Sequence, residues 1–246
     1  MKIYIAKIGR LLVSNFINES FDKIYCLNLK RRPDRWSQCE AIFKQHNLNV
    51  FRFGAIDGTT LNSNEIKRIK NKNKSNVSHY PGHVGCNLSH LSILKHAREN
   101  QYNNIMVLED DVELHPLFNT HFENYFKQLP DDWIMCYLGG NYLNIDTNSG
   151  LTTSMPSDPQ GHMVKLNIRE CKNLFTTTAY CLNKRGIDIY SKELESNNCL
   201  LAVDECYSLL QEKYSIYIFE PRLVYQRAGI SDILNGYRDY KTMKDF

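Results

Sequence analysis

Short apolar runs alternate with polar, helix-forming stretches along nearly the whole of this chain, and that alternation limits it to a sheet with helices packed against it. Residues 24–29 (Ile-Tyr-Cys-Leu-Asn-Leu) are rich in strand formers. Pro33 follows, and residues 34–46 hold neither Gly nor Pro, so the local order is strand, polar loop, helix. A second strand is expected at 50–53, before the turn signal Asp57-Gly58. The clearest helix is expected at 85–101, where Leu88, Leu91, Leu94 and Ala97 recur at intervals of three. The apolar run 105–108 reads as a strand covered on both faces, and 133–138 repeats that character before Gly139-Gly140. Residues 141–170 read as loop-rich, 174–182 as a strand, 184–196 and 202–213 as helices, and 216–219 and 223–226 as strands. The fold class expected is therefore α/β, a mixed, mostly parallel sheet with helices on both faces. Such sheets place ligands beyond the carboxyl ends of their strands, so polar residues at those points are the first candidates for a site.

Composition narrows the function classes. With 246 residues, 42% hydrophobic and 23% charged, the chain has enough apolar material for a sizeable core, which excludes disorder as a whole-chain answer. Thirty basic against 27 acidic residues leave a net charge of +3, too balanced for a protein built to neutralise nucleic-acid phosphates. The basic stretch 62–78 lacks aromatics for base stacking and is expected to be a mobile surface loop or frayed helix. Charges at Lys2, Lys7 and Arg10 break the apolar N-terminus, and no run of about 18 apolar residues occurs. Neither a signal peptide nor a membrane span is expected, and the location expected is cytoplasmic. None of the eight cysteines forms a C-x-x-C pair, so reduced core thiols are expected rather than a sulfur-held metal.

Four segments could carry chemistry. Glu109-Asp110-Asp111 closes the run 105–108, and continued strand alternation would put Glu109 and Asp111 on one side and Asp110 on the other. Like charges so placed call for a neutralising cation, for which oxygen-loving Mg2+ or Mn2+ is suited; a solvated acidic turn is the plainer alternative. Residues 28–35 (NLKRRPDR) form a cationic loop that opens a helix, fit for phosphate oxygens or for surface pairing with Asp34 or Asp57. Residues 82–90 (GHVGCNLSH) set glycines at a helix start, where a ligand can approach backbone amides, and place His90 within the second turn as a ligand contact or a packing residue. Val203-Asp204-Glu205-Cys206 opens a late helix; Asp204 suits an N-cap, and equally suits taking a proton from a hydroxyl, with Glu205 as its adjacent rival.

Taken in order, YCLNLKRRPDRW (25–36), FGAIDG (53–58), GHVGCNLSH (82–90), VLEDDVEL (107–114), TTAYCLNKRG (177–186), VDEC (203–206) and EPRLVYQ with Ser231-Asp232-Ile233 (220–233) resemble glycosyltransferase family 25. That family includes bacterial lipooligosaccharide galactosyltransferases and procollagen hydroxylysine galactosyltransferases. The resemblance spans about 21–233 and implies a GT-A-like domain over 21–234, between an extension at 1–20 and a tail at 235–246. It further implies a UDP-sugar donor, a Mn2+-type cation (or Mg2+) at the acidic motif and inversion at the anomeric carbon. Carried over by position, Asn28, Arg32 and Asp57 lie around the nucleotide, and Gly85, Ser89 and His90 line the same pocket. Glu109 and Asp111 correspond to metal ligands and Asp110 to the diphosphate site, the first acid being Glu where the family has Asp. The acceptor implied is a hydroxyl on a glycan or on a collagen-like polypeptide, towards which VDEC tilts. Two other classes remain open at this point, a glycoside hydrolase working with two carboxylates and a non-catalytic sugar-nucleotide-binding module.

Overall fold

The structure is a computed structural model that describes residues 15–62, 81–145, 152–156, 159, 161–197, 201–233 and 236–239. The basic segment beyond Asn62, residues 1–14, most of the tail and Cys199 lie outside the described residues. The main sheet has the spatial order β2 (Val50–Ala55), β1 (Lys23–Leu29), β3 (Asn104–Glu109), β11 (Ala179–Asn183), β5 (Met135–Tyr137), β12 (Ile216–Phe219), β9 (Ile168–Glu170) and β8 (Met163–Lys165). Strand β1 is parallel to β2 and β3, and β5 is parallel to β12, whereas β11 and β9 run against their neighbours. Six of the eight strands thus point the same way, as the α/β reading expects. Three smaller sheets complete the described strands: β4 (Val112–Leu114) with β13 (Val224–Gln226), β6 (Asn141–Ile145) between β7 (Thr152–Pro156) and β10 (Leu174–Phe175), and the hairpin of β14 (Gly229–Ser231) and β15 (Gly236–Arg238).

Strand alternation explains why both faces of the sheet are covered. On one face Tyr25, Leu27, Ile105, Val107, Tyr180, Leu182, Ile216 and Ile218 pack against α3 (Pro81–Glu99), α5 (Lys184–Asn197) and α6 (Val203–Ser208). On the other Ile24, Cys26, Met106, Leu108, Cys181, Tyr217 and Phe219 meet α1 (Phe16–Ser20), α2 (Pro33–Gln45) and α4 (Phe118–Phe126). Each fully buried Leu, Ile or Phe contributes about 1.5–3 kcal/mol by leaving water, which is why the central strands read as unbroken apolar runs. Among the described residues the cysteines at 26, 39, 86, 136, 171, 181 and 206 form no disulfide, and no described helix is long and apolar enough to cross a membrane.

Several expectations are corrected. The loop-rich reading of 141–170 misses β6, β7, β8 and β9, whose short pairings give too few residues for a visible period. The single strand expected at 174–182 breaks at Thr176, whose Oγ1 accepts a hydrogen bond from the Thr178 backbone N–H at 3.1 Å. The late helix ends at Ser208 rather than 213, and α3 begins at Pro81, which puts His90 in its third turn. The buried side of α3 also carries polar Asn87, Ser89 and His90, while Leu88 and Leu91 are only half-buried.

Helix α3 docks backbone to backbone on the loop after β2. A Cβ on Gly58 would stand 1.6 Å from the Pro81 carbonyl oxygen, and one on Gly85 would stand 2.6 Å from the Gly58 nitrogen. Gly58→Ala should therefore cost about 1–3 kcal/mol in urea denaturation. Gly54→Ala, where an added Cβ meets nothing within 4 Å, should shift stability by under about 0.5 kcal/mol.

Candidate active site

Parallel pairing of β1, β2 and β3 brings their carboxyl ends to one edge of the sheet, and antiparallel β11 delivers its amino end to the same edge, with Ala179 beside Leu108. Residues 30–32, 56–58, 110–111 and 176–178 therefore gather there. Two adjoining cavities open at this edge, one of about 130 Å3 lined by Arg31, Arg35, Asp57, Ser89, His90 and the three acids 109–111, the other of about 290 Å3 lined by Thr176, Thr177, Thr178 and Asp204. Cys86, Glu109, Gln226, Ser231 and Ile233 line both, forming their shared wall.

The acidic triplet does not alternate as expected. Strand β3 ends at Glu109, so Asp110 and Asp111 lie in a turn and come together on one guanidinium. Arg35 donates from one terminal nitrogen to Asp110 Oδ1 at 2.7 Å and to Asp111 Oδ2 at 3.2 Å. Asn28 donates to Asp110 Oδ2 at 2.6 Å, and Gln226 donates to Asp111 Oδ2 at 3.0 Å. Burial pushes the Asp110 carboxyl up despite Arg35 and Asn28. Burial and the Glu109 charge push Asp111 up to about 7, against the opposing pull of Gln226 and Arg35. Among the described residues, Asp111 Oδ1 is a buried atom with no hydrogen-bond partner. Glu109 has other partners: Thr177 donates to its Oε1 at 2.5 Å, and His90 Nε2 stands 3.4 Å from that oxygen. Burial acts to raise the Glu109 carboxyl, but His90, Thr177 and Arg35 outweigh it and hold it low.

The other expected residues divide into those facing the cavities and those behind them. Asp57 lines the first cavity, accepts from Arg31 at 2.5 Å and caps Thr59. Ser89 accepts from the Ile56 backbone N–H at 2.8 Å and fixes the wall. Gly85 lines neither cavity and serves the close docking of α3. Asn28 is buried behind the acids, holding Asp110 and the Arg32 carbonyl oxygen. Arg32 also lines neither cavity: it pairs with Asp34 and Asp232, and the guanidiniums that face the first cavity are those of Arg31 and Arg35. Pro33 opens α2, which sets Arg35 in the first turn pointing back at the sheet edge.

The two late acids also separate. Glu205 Oε2 accepts from the Ala202 backbone N–H at 2.9 Å, so it ties down the start of α6. Ala202, not Asp204, is the N-cap residue. Asp204 lines the second cavity, and burial, with Glu205 and Glu109 adding repulsion, pushes it up to about 6 although backbone N–H groups favour its ionised form. Sequence reading missed Thr177, Gln226, Asp232 and Cys86 as site residues; each lies far along the chain from the acids or reads locally as ordinary packing.

A family model described as "Glycosyltransferase family 25 (LPS biosynthesis protein)" matches residues 21–207. Procollagen galactosyltransferase 2 of Homo sapiens is 28% identical over 220 residues, which cover 80% of this chain and 31% of that protein. The chain thus spans about a third of the length of such relatives. Inactive glycosyltransferase 25 family member 3 of Homo sapiens is 29% identical over 138 residues, 50% of this chain and 22% of that protein. Among solved structures, a glycosyltransferase involved in the glycosylation of the major capsid of PBCV-1 aligns over 85% of this chain and 94% of its own, at a TM-score of 0.48 and 9% identity.

Arg35 and Arg31 differ in what their loss leaves behind. The Arg35 side chain is 13% exposed and the Arg31 side chain 45%. Arg35→Ala strands two buried carboxylates and should cost about 3–5 kcal/mol in denaturant unfolding at neutral pH. Arg31→Ala removes two solvent-screened pairs, with Asp57 and Asp232, and should cost under about 2 kcal/mol.

Proposed function

Because the chain belongs to glycosyltransferase family 25, we propose that it is an inverting, divalent-cation-dependent transferase that moves a hexose, galactose first among candidates, from a UDP-sugar to an acceptor hydroxyl. The charge balance of the first cavity carries this reading: five acids, Asp57, Glu109, Asp110, Asp111 and Asp232, line it against two lining guanidiniums, Arg31 and Arg35, with Arg32 reaching Asp232 from behind. A diphosphate entering there adds negative charge to an acidic wall, so its binding calls for a divalent cation. The residues fit one. Asp111 offers a buried, unpartnered oxygen, its proton affinity is raised as expected of a crowded carboxylate, and the donors are hard oxygens suited to Mn2+ or Mg2+. Glu109 and Asp111 would hold the cation, which when bound supplies positive charge against the leaving diphosphate.

The chain's own residues do the rest. Arg31 and Arg35 face the diphosphate oxygens, and Asp110, held by Asn28, aims Arg35. Asp57 steadies Arg31, while Ser89 and His90 form the wall beneath. The second cavity receives the acceptor, whose hydroxyl gives its proton to the Asp204 carboxylate as its oxygen attacks the anomeric carbon. Attack from a cavity on the far side of the diphosphate inverts the configuration. The printed name of the human relative supports galactose and a collagen-like acceptor, and the family description supports a glycan one. Membership of a transferase family weighs against the hydrolase reading. The relative named inactive favours a second reading, a module that binds sugar nucleotide without turnover.

Four measurements check this. Incubated with a panel of nucleotide sugars and Mn2+, the protein should liberate UDP from one UDP-hexose; release from none supports the non-catalytic reading. Asp111→Ala should abolish cation-dependent UDP binding without unfolding the protein, and unchanged binding contradicts the assignment. Asp204→Asn should leave donor binding near normal and slow transfer about 100- to 10,000-fold. The base works only when ionised, so the transfer rate should fall as pH drops through about 6 and level off above it; a profile flat from about pH 5 to about pH 7, one unit either side of that value, removes Asp204 from that role.

A further inference from the structure

At the shared wall of the two cavities lies a mixed donor set that the transferase reading does not use as a set. Cys86 and His90 are four residues apart on α3 and so share a face of the helix, and Glu109 meets them from the end of β3. The Cys86 Sγ, a ring nitrogen of His90 and a Glu109 oxygen all lie within 4.8 Å of one another. His90 is fully buried, and among the described residues its Nε2 has no hydrogen-bond partner, with the Glu109 oxygen 3.4 Å away. Its other nitrogen, Nδ1, lies 2.8 Å from the Tyr180 hydroxyl. With the proton on Nδ1 and donated to Tyr180, Nε2 presents a lone pair into the cluster, the arrangement that orients metal-binding imidazoles. Thr177 likewise fixes the Glu109 carboxylate from outside.

We infer that Cys86, His90 and Glu109 form a binding site for a thiophilic divalent cation of the Zn2+ class, with a fourth position open to the cavities. One thiolate, one imidazole and one carboxylate around an open position match the mixed donors such ions take, and they differ from the all-oxygen set that suits Mn2+ or Mg2+. Cys86 and Glu109 line both cavities, so an ion has an aqueous path inward and the thiol proton a path out. Chain spacing hides the site, since it lacks a C-x-x-C pair and takes its third donor from a separate strand. Glu109 belongs to this set and to the oxygen set, so the two cations compete for it; that consequence, unlike the binding itself, rests on the transferase reading.

Cobalt is the probe, because its bond to a thiolate gives a near-ultraviolet charge-transfer absorption. Metal-stripped, fully reduced protein titrated with Co2+ should develop that band to one equivalent, and Zn2+ should displace it. Cys86→Ser, a near-isosteric change at a half-buried position, should remove the band and weaken Co2+ binding about 10-fold or more. His90→Gln should shift and weaken it, with circular dichroism reporting whether that buried change still folds. Asp111→Ala should leave the band in place while losing cation-dependent UDP binding, which separates failure of this site from failure of the transferase reading. Absence of a band in the wild type, or a band unchanged in folded Cys86→Ser, overturns the proposal.

Discussion

One guanidinium lies between two neighbouring carboxylates where the central strand leaves the sheet, and the surrounding architecture is arranged about that contact. Three successive acids at the end of a strand buried on both faces would repel one another and unfold the turn if left unpaired. Arg35 ties two of them together, Asn28 and Thr177 occupy further oxygens, and Gln226 shares the Asp111 oxygen that Arg35 holds. Arg35 can do this because Pro33 starts α2 immediately after β1, and Gln226 because β13 pairs with β4 beside the turn. Compensation is still incomplete. The carboxyl of Asp111 stays well above its ordinary range, and one of its oxygens has no partner among the described residues.

That residual negative charge links fold to chemistry. A site with excess carboxylate binds an anionic leaving group only together with a cation, and so discriminates between a bare nucleotide diphosphate and its metal complex. On the proposed reading, bond breaking would fall beside Glu109 at the shared wall of the two cavities and Asp204 would stand on the acceptor side. Glu205, adjacent in sequence, is committed to the helix start through Ala202, which leaves Asp204 as the one of the two carboxylates that lines the second cavity.

The parts legible in the sequence were those with a strong local period or a buried run. Residues 24–29, 105–108 and 216–219 announce themselves because they are covered on both sides, and α2 and α5 because nothing interrupts them. The acidic triplet was visible as a position but not as a geometry, since alternation holds only while the strand lasts and β3 stops at its first acid. Arg32, carried over from the resemblance, lines neither cavity while Arg31 and Arg35 line the first, a difference of direction that a run of basic residues does not reveal. Gln226 reaches Asp111 from 115 residues away, and no local pattern signals such a contact. Helix α4 escaped notice although Phe118 and Phe122 stand one turn apart, because a nine-residue helix offers little more than two turns of period.

Anomalous diffraction at the manganese edge, from crystals grown with UDP and Mn2+, addresses the central claim directly. The account predicts a peak bounded by carboxylate oxygens of Glu109 and Asp111 and by the phosphates of UDP. A nucleotide bound with no peak at those acids, or with Asp111 still held only by Arg35 and Gln226, would contradict it.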